Sequence, residues 1–446
     1  MIAEQTSLTR EQKEAVGLLS IGTFLEYFDL MLYVHMAVLL NELFFPKTDP
    51  FTASLLSALA FCSTYFLRPF AALIFGYIGD NIGRKHTVVI TTFMMAASCI
   101  IMANLPTYEQ IGISAAWVVT ICRIIQGMSS MGESIGAELY LTEITKPPVQ
   151  YPIVSLIPVS IALGSLFAIA LASIVTMNGL NWRVAFWIGG CIAIIGTLAR
   201  MFLRETPEFV NAKKRLVKLT NESLKKVGLT ENSVSINSSL NKMNEIYHDK
   251  KESQLKISLS LFAMQCNWPL GFYIVYIYSA EIYKTKFLFT APDVIHNNLL
   301  VSIIQLVSMS FVSYLSYRIY PLKILRVKLV AFAFFILFLP FCLFHLRDSN
   351  DLLLLQMLFI ILLPSTPPAV PILFKCFSVF TRFTYTSVMY AISRALIYVV
   401  TSFGIIYLSR SFEYYGLLIL LIPAVVCFYL ALNHFDKLIT NQTSSS

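Results

Sequence analysis

Long apolar runs restrict the possible fold of this chain more than any other feature. They follow one another along its whole length, and each has about 20 residues, the length needed for a helix to cross a bilayer. Of the 446 residues, 57% are hydrophobic and only 13% are charged, against roughly 45–50% and about 25% in a soluble domain. A backbone in lipid must satisfy its own hydrogen bonds, so these runs are expected to be helical. The sequence predicts an all-α polytopic membrane protein.

Twelve spans can be placed on the chain. They are expected near 15–41, 53–78, 86–104, 112–138, 152–177, 183–203, 257–282, 295–317, 323–344, 352–373, 385–408 and 413–433. A polar stretch rich in Lys, Asn, Ser and Glu separates the first six from the second six, which is a parallel-repeat layout. The predicted divisions are an N-terminal segment (1–14), a six-helix bundle (15–204), a central loop (205–256), a second six-helix bundle (257–435) and a tail (436–446).

The basic residues predict the orientation of the chain. The net charge is +8, but the bases fall in short segments between spans, which does not suggest a nucleic-acid partner. If the N-terminus is cytoplasmic, most lysines and arginines lie on the inside, as the positive-inside rule requires. We therefore predict a multi-pass protein of the cell (inner) membrane with both termini in the cytoplasm.

Neither cofactor nor metal is expected. The eight cysteines are isolated and no CxxC occurs, so neither a metal site nor a disulfide framework is indicated. Metalloprotease, nucleophile-elbow and phosphate-loop motifs are also absent from the sequence, which argues against an enzyme. The expected partners are a small-molecule substrate, protons and the lipid bilayer, and the protein is expected to work as a monomer.

Ionisable side chains within the first span are candidates for function, because a charge at mid-membrane costs about 2.5 kcal/mol or more. Glu26, Asp29 and Tyr33 are spaced by three and four residues, which places them on one helical face. They could bind a proton or a cationic group. Alternatively, the two acids could pair with bases on other helices and only fix the packing.

The fourth span carries a second polar face. Arg123, Gln126 and Glu133 fall within one wedge of that helix. Arginine offers a planar fork of donors, so Arg123 could clamp a carboxylate or hold an acid in its ionised form. Glu133 joins Glu26 and Asp29 as a candidate for proton coupling. Glu138 and Glu143 lie nearer the cytoplasmic end and are expected at the membrane interface.

The second half has fewer charges. Tyr273 and Tyr276 belong to an aromatic stripe that serves either packing or substrate contact. Tyr390 and Arg394 share a face of the eleventh span, and an arginine near the midplane requires an acid or an anionic substrate. The tenth span is interrupted by four prolines, and such breaks often line cavities.

A polar turn lies between the second and third spans. The stretch 76–85 combines three glycines with one acid and two bases, and a run this polar must sit at a membrane face. Asp80 could cap a helix start or pair with Arg84. The alternative is an ordinary charged loop. The candidate gating residues are Gly76, Asp80, Gly83, Arg84 and Lys85.

Several motifs together carry a family resemblance. The turn at 76–85 resembles the loop between the second and third spans of major facilitator transporters, and Arg123–Gly127 resembles their fourth-span motif. Other segments are similar to the metabolite:proton symporter branch, which includes proline/betaine and α-ketoglutarate permeases. These segments are Gly22–Asp29 with Tyr33, Phe44–Pro46, Phe66–Pro69, Leu105–Gly112, Gly132–Glu133, Trp182–Phe186 and Leu203–Pro207.

The resemblance implies a major facilitator fold of twelve helices in two six-helix bundles, alternating access and proton-coupled uptake of a small polar metabolite. It also implies that the Asp80 loop latches the two bundles against the start of the eleventh span. The stretch Ser313–Lys323, where the second half should repeat this loop, has lost both glycines and the acid. The latch is therefore expected on one side only.

The predicted function is secondary active transport of an organic acid or of a proline/betaine-type osmolyte. Two arginines within spans, Arg123 and Arg394, favour a carboxylate over a zwitterion. The alternative is a transporter-like sensor or interaction protein with lost or altered turnover, which the altered second half would support.

Overall fold

The computed structural model describes residues 5–45, 65–81, 84–177, 181–200, 235–378 and 381–444. The six long helices of the first half are α1 (Arg10–Phe44), α2 (Arg68–Asn81), α3 (Arg84–Asn104), α4 (Ile113–Ile144), α5 (Gln150–Met177) and α6 (Trp182–Arg200). A single turn of helix, Tyr108–Ile111, lies between α3 and α4.

The second half also contributes six helices. They are α7 (Ser235–Phe272, continued by a π-helical turn over Tyr273–Tyr278 and by Ser279–Lys286), α8 (Ala291–Leu315), α9 (Pro321–Phe344), α10 (Ser349–Leu362, resumed over Val370–Lys375), α11 (Arg382–Phe412) and α12 (Gly416–Ser444). Each corresponds to a predicted span. The helix α7 begins at Ser235, so it also takes in part of the stretch that the sequence predicts as the central loop.

Length and hydropathy agree with a membrane location. In the described part of the chain, seven helical segments are long and apolar enough to cross a membrane, and one of them, Arg382–Thr440, contains both α11 and α12. Two shorter apolar helices, Arg68–Ile78 and Val89–Asn104, lie in α2 and α3. The predicted residues 53–64 of the second span lie outside the described residues.

The surface of the molecule exposes many large apolar side chains, while several charged and polar side chains lie within its mainly apolar interior. Large apolar side chains such as Phe93, Trp117, Val327 and Phe334 are each more than 60% exposed. Charged and amide side chains, among them Arg68, Arg123 and Gln126, are buried instead. Lipid is as apolar as these exposed side chains, so burying them gains little, whereas polar groups must find partners inside the protein.

Close packing within the first half joins α1 to α5 and α3 to α6, while α7 packs on α11 and α12 in the second half. The closest backbone approach involves Gly164 of α5, where an added Cβ would collide with the carbonyl oxygen of Phe24 in α1. Small residues allow helices in a membrane to approach in this way. The two halves meet where α2 packs on α11 and α5 packs on α8.

Two helices of the second half depart from regular geometry. The helix α10 is interrupted after Leu362, as its prolines predict, and a short 3₁₀ turn, Pro367–Ala369, precedes its second part. The helix α7 contains Pro269 and then the π-helical turn. Turns of this kind are frequent at functional sites because they displace side chains from their regular positions.

Candidate functional site

A cavity of about 100 Å³ lies between the two halves. Its lining comes from α1, the start of α2, α4 and α5 on one side, and from α7, α8, α10 and α11 on the other. The break in α10 contributes Ser365, Thr366 and Pro367, and the part of α7 before its π-helical turn contributes Gln265, Trp268 and Phe272. The charged lining residues are Arg68, Glu138 and Arg394.

Tyrosine side chains hold the two cavity arginines. The Arg68 guanidinium carbon lies 4.1 Å from the ring centroid of Tyr65, and that of Arg394 lies 3.2 Å from the ring centroid of Tyr390. Because a cation is attracted to the face of an aromatic ring, each arginine is fixed by a neighbour on its own chain segment.

The same tyrosines connect the two halves. The hydroxyls of Tyr27 in α1 and Tyr390 in α11 lie 3.1 Å apart, within hydrogen-bond distance. The rings of Tyr65 and Tyr398 pack with centroids 4.2 Å apart. These contacts bring α1 and the start of α2 against α11 at the cavity wall.

Arg68 has unsatisfied hydrogen-bond donors. Its side chain is almost completely buried, and its Nε and Nη2 atoms have no hydrogen-bond partner in the part of the chain that the structure describes. Buried donors without a partner are rare and costly, above all on a charged group. Arg68 is therefore the cavity residue with the greatest unused capacity for a ligand.

Glu138 is the cavity carboxylate. It lies within electrostatic range of Arg394, yet no ion pair joins the two side chains among the described residues. The sequence predicts Glu138 near the membrane interface, but the structure places it in the cavity wall at 8% exposure. A base and an acid thus face the same space without neutralising each other by direct contact.

A separate polar cluster lies inside the first half. The Arg123 guanidinium carbon is 4.2 Å from the ring centroid of Tyr33, and Arg123 donates hydrogen bonds to the Leu30 carbonyl oxygen at 3.2 Å and to Gln126 Oε1 at 2.9 Å. Gln126 in turn donates to Cys99 Sγ at 3.4 Å. None of these side chains except Leu30 lines the cavity.

The predicted acids of the first span lie near this cluster. Glu26 and Asp29 are buried, and neither lines the cavity. Asp29 Oδ1 lies against Gly189 of α6, where an added Cβ would collide with it. The side chain of Glu133 lies outside the described part of the structure. The proposed proton-coupling role of these acids stays a prediction.

The predicted tyrosines of α7 lie behind the cavity wall. Tyr276 donates a hydrogen bond of 2.6 Å to Oε1 of Gln305, which lines the cavity, and receives one of 3.2 Å from Ser302. Tyr276 therefore positions a cavity residue, while Tyr273 is buried outside the lining. Tyr390 and Arg394 lie in the lining themselves, as their shared helical face suggests.

Polar contacts join the two halves at one end. Arg382 Nη1 lies 3.5 Å from Glu143 Oε1, with both side chains buried, and Lys375 donates a 2.8 Å hydrogen bond to Gln150. A further hydrogen bond of 3.2 Å runs from Ser313 to the Pro152 carbonyl oxygen. These contacts join the halves at the end of the molecule where α4 and α8 end and α11 begins.

The predicted gating loop begins at this end of the molecule. A Cβ added to Gly76 would lie 3.1 Å from the Cα and 3.4 Å from the Cβ of Thr384, so a glycine lets α2 approach the start of α11 closely. Gly83 lies outside the described residues, as do the side chains of Asp80, Arg84 and Lys85. The latch role of this loop remains a prediction.

Sequence reasoning did not select three of the cavity residues as sites. Arg68 appears only within a family motif, Glu138 was expected at an interface, and Tyr27 lies between the two acids of the first span. On a helix, Tyr27 and Asp29 point about 200° apart. A different choice of inward face for the first span would have selected Tyr27.

The fold matches solved transporters over nearly the whole chain. The major facilitator proton:xylose symporter XylE bound to 6-bromo-6-deoxy-D-glucose aligns with a TM-score of 0.73 at 16% identity, covering 96% of this chain and 95% of that one. The human organic anion transporter MFSD10 (TETRAN) aligns with a TM-score of 0.66 at 15% identity, covering 96% and 100%. The chain therefore has the twelve-helix fold of the major facilitator transporters.

A family model and curated relatives identify the family to which the chain belongs. The model described as "Sugar (and other) transporter" matches residues 16–432, and the chain belongs to that family. The inner membrane metabolite transport protein YhjE of Escherichia coli (strain K12) is 34% identical over 220 residues, which are 47% of this chain and 50% of the relative. The proline/betaine transporter of the same organism is 33% identical over 204 residues, covering 44% and 41%. The chain spans about half the length of the curated relatives it matches.

Proposed function

We propose that this protein is a secondary active transporter that takes up a small polar metabolite together with protons by alternating access. The metabolite is an organic acid or a proline/betaine-type osmolyte. The observation that carries the proposal is the central cavity, which both halves line and which holds Arg68, Arg394 and Glu138. A cavity lined by charged residues inside a membrane protein is a substrate or ion site by default, because charges there are costly unless they are used.

The contacts at one end of the cavity support alternating access. They link the halves through polar groups, and a buried ion pair such as Glu143–Arg382 contributes specificity more than net stability. Such contacts can break and re-form as the halves rock. We place this end, with both termini, on the cytoplasmic side, and we take the two six-helix bundles as the moving units.

Four acids are candidates for carrying the proton. Glu26, Asp29 and Glu133 follow from the sequence, and Glu138 is added because it lines the cavity. The polar cluster around Arg123 lies between α1, α3 and α4. A change of charge at Asp29 would therefore alter the electrostatic interactions within the first bundle. Binding of substrate at the cavity and protonation of a nearby acid would then favour the same rearrangement.

The experiment is uptake into proteoliposomes with an imposed pH gradient. Labelled lactate, 2-oxoglutarate, proline and glycine betaine are offered separately, and entry into protein-free vesicles is subtracted. The expected result is accumulation of one class of solute that is faster with the outside acidic than without a gradient. Equal uptake under both conditions would rule out proton coupling. No uptake of any solute would favour the sensor alternative.

A further inference from the structure

Arg68 lines the cavity, and one hydrogen-bonding edge of its buried guanidinium has no partner among the described residues. Its two unpartnered nitrogens, Nε and Nη2, are neighbours on one side of the planar guanidinium. Carboxylate and phosphate groups bind side-on to such a pair through two parallel hydrogen bonds. The guanidinium carbon lies over the Tyr65 ring, 4.1 Å from its centroid, and this contact uses neither Nε nor Nη2 as a hydrogen-bond donor.

The charges around the cavity fit one anionic group. Two arginines and one glutamate line it, so with all three ionised the described lining carries one excess positive charge. Arg394 lies within electrostatic range of Tyr27 and Tyr398, as Arg68 does, so both guanidinium groups act on the same region. A bound monocarboxylate would balance the excess charge.

The aromatic lining argues against a quaternary ammonium as the recognised group. Such cations bind over ring faces, and guanidinium groups already lie over the rings of Tyr65 and Tyr390. The rings of Tyr65 and Tyr398 also pack on each other. The remaining rings, those of Tyr27, Trp268 and Phe272, together with Leu30 and Val370, suit the apolar or weakly polar body of a small acid.

We propose that the cavity binds a small monocarboxylate, held side-on by Nε and Nη2 of Arg68, with Arg394 as the second cation. This assignment rests on the transport function proposed above and names its substrate class. A zwitterion such as glycine betaine, whose carboxylate could also reach Arg68 while its cation faced Glu138, is the competing class that the experiment must exclude.

Binding to the purified full-length protein tests the assignment without a membrane or a gradient. The thermal unfolding midpoint is followed against acetate, lactate and benzoate, against the neutral analogue benzamide, and against glycine betaine, since a ligand of the folded state raises the midpoint by mass action. At least one carboxylate is expected to give a saturable rise. Benzamide and glycine betaine are expected to give none.

Substitutions then locate the site. Arg68→Gln should weaken carboxylate binding about tenfold or more, because a hydrogen bond to a charged group is worth about 1.5–3 kcal/mol. Arg68→Lys keeps the charge but loses the fork, so it should also bind more weakly than the wild type.

The matched control is Arg183→Gln. Arg183 also stacks on an aromatic neighbour, 4.6 Å from the ring centroid of Trp182, but it lies outside the cavity lining and should leave affinity unchanged.

Several results would overturn the assignment. They are unchanged affinity in both Arg68 variants, a midpoint rise with glycine betaine that exceeds that of every carboxylate, or no saturable rise with any of the three carboxylates. If Arg68→Gln does not fold, Arg68→Lys decides the question.

Carboxylate binding that depends on Arg68, without gradient-driven uptake, would refute proton-coupled transport alone. Gradient-driven uptake of a solute that carries no carboxylate would refute the carboxylate site alone.

Discussion

At the scale of single residues, Glu138 is the acid whose position relates most directly to the cavity. It faces the same space as Arg394 without a direct ion pair, so its charge state alters the field at the bound substrate. We expect Glu138→Gln to retain substrate binding and exchange but to lose stimulation of uptake by a pH gradient. Proteoliposome uptake with and without the gradient measures this.

The control for this variant is Glu413→Gln, since Glu413 lies in the short turn between α11 and α12, far along the chain from the cavity lining. Gradient stimulation of wild-type size in Glu138→Gln would exclude Glu138. The proton would then have to be carried by Glu26, Asp29 or Glu133.

The positions of single side chains were also the hardest to predict from the sequence. Helical spacing correctly grouped Tyr390 with Arg394, and Tyr33 lies beside Arg123 in the structure. It could not decide which face of α1 points to the cavity, because α1 is enclosed by other helices and both faces are buried. Asp29 and Tyr33 therefore looked like cavity residues, whereas Tyr27 occupies that position.

At the scale of elements, the packing of α1 on α5 depends on a glycine. An added Cβ at Gly164 would collide with the backbone carbonyl of Phe24 and lie 3.1 Å from the nitrogen of Phe28. Because backbone atoms cannot rotate away, Gly164→Ala should lower stability by about 1–3 kcal/mol. Thermal unfolding of the purified protein measures the loss.

The matched control for that substitution is Gly404→Ala in α11, where the nearest atoms to an added Cβ are 3.6 and 3.7 Å away, an ordinary contact distance. This variant should unfold at the wild-type temperature or above it. Equal unfolding temperatures of the two variants would show that α1 and α5 can move apart with little loss of stability. That result would contradict the close approach of the two helices.

We expect the loop at 76–85 to contribute more to gating than the stretch Ser313–Lys323. The first retains its glycines and acid, and Gly76 packs on Thr384, while Ser313 makes one hydrogen bond to Pro152 in the other half. We expect Asp80→Asn to reduce initial uptake more than Ser313→Ala or any other single change at 313–323. Similar losses from both loops would contradict a one-sided latch.

The elements themselves were largely predictable. Each of the twelve spans corresponds to a helix, since an apolar run of this length has few alternatives in lipid. The break in α10 followed from its prolines. The π-helical turn in α7 was not predicted, because no residue type requires it, and the long start of α7 lies in a polar stretch that carries no membrane signal.

At the scale of the whole molecule, alternating access requires the two halves to open and close about the cavity. The contact between Gly76 and Thr384 allows this to be tested directly. An added Cβ at Gly76 lies 3.4 Å from the Cβ of Thr384, close to the spacing of about 3.5–4.5 Å between the Cβ atoms of a disulfide. The double variant Gly76→Cys/Thr384→Cys should therefore cross-link α2 to α11 on oxidation.

The decisive measurement is uptake by this double variant in proteoliposomes, before oxidation, after oxidation and after subsequent reduction, with the cross-link verified by mass spectrometry. The single variants, treated in the same way, control for the native cysteines. Alternating access predicts uptake in the reduced protein, loss of uptake when the disulfide joins α2 to α11, and recovery when the disulfide is reduced. Undiminished uptake by the fully cross-linked protein would contradict alternating access through this end.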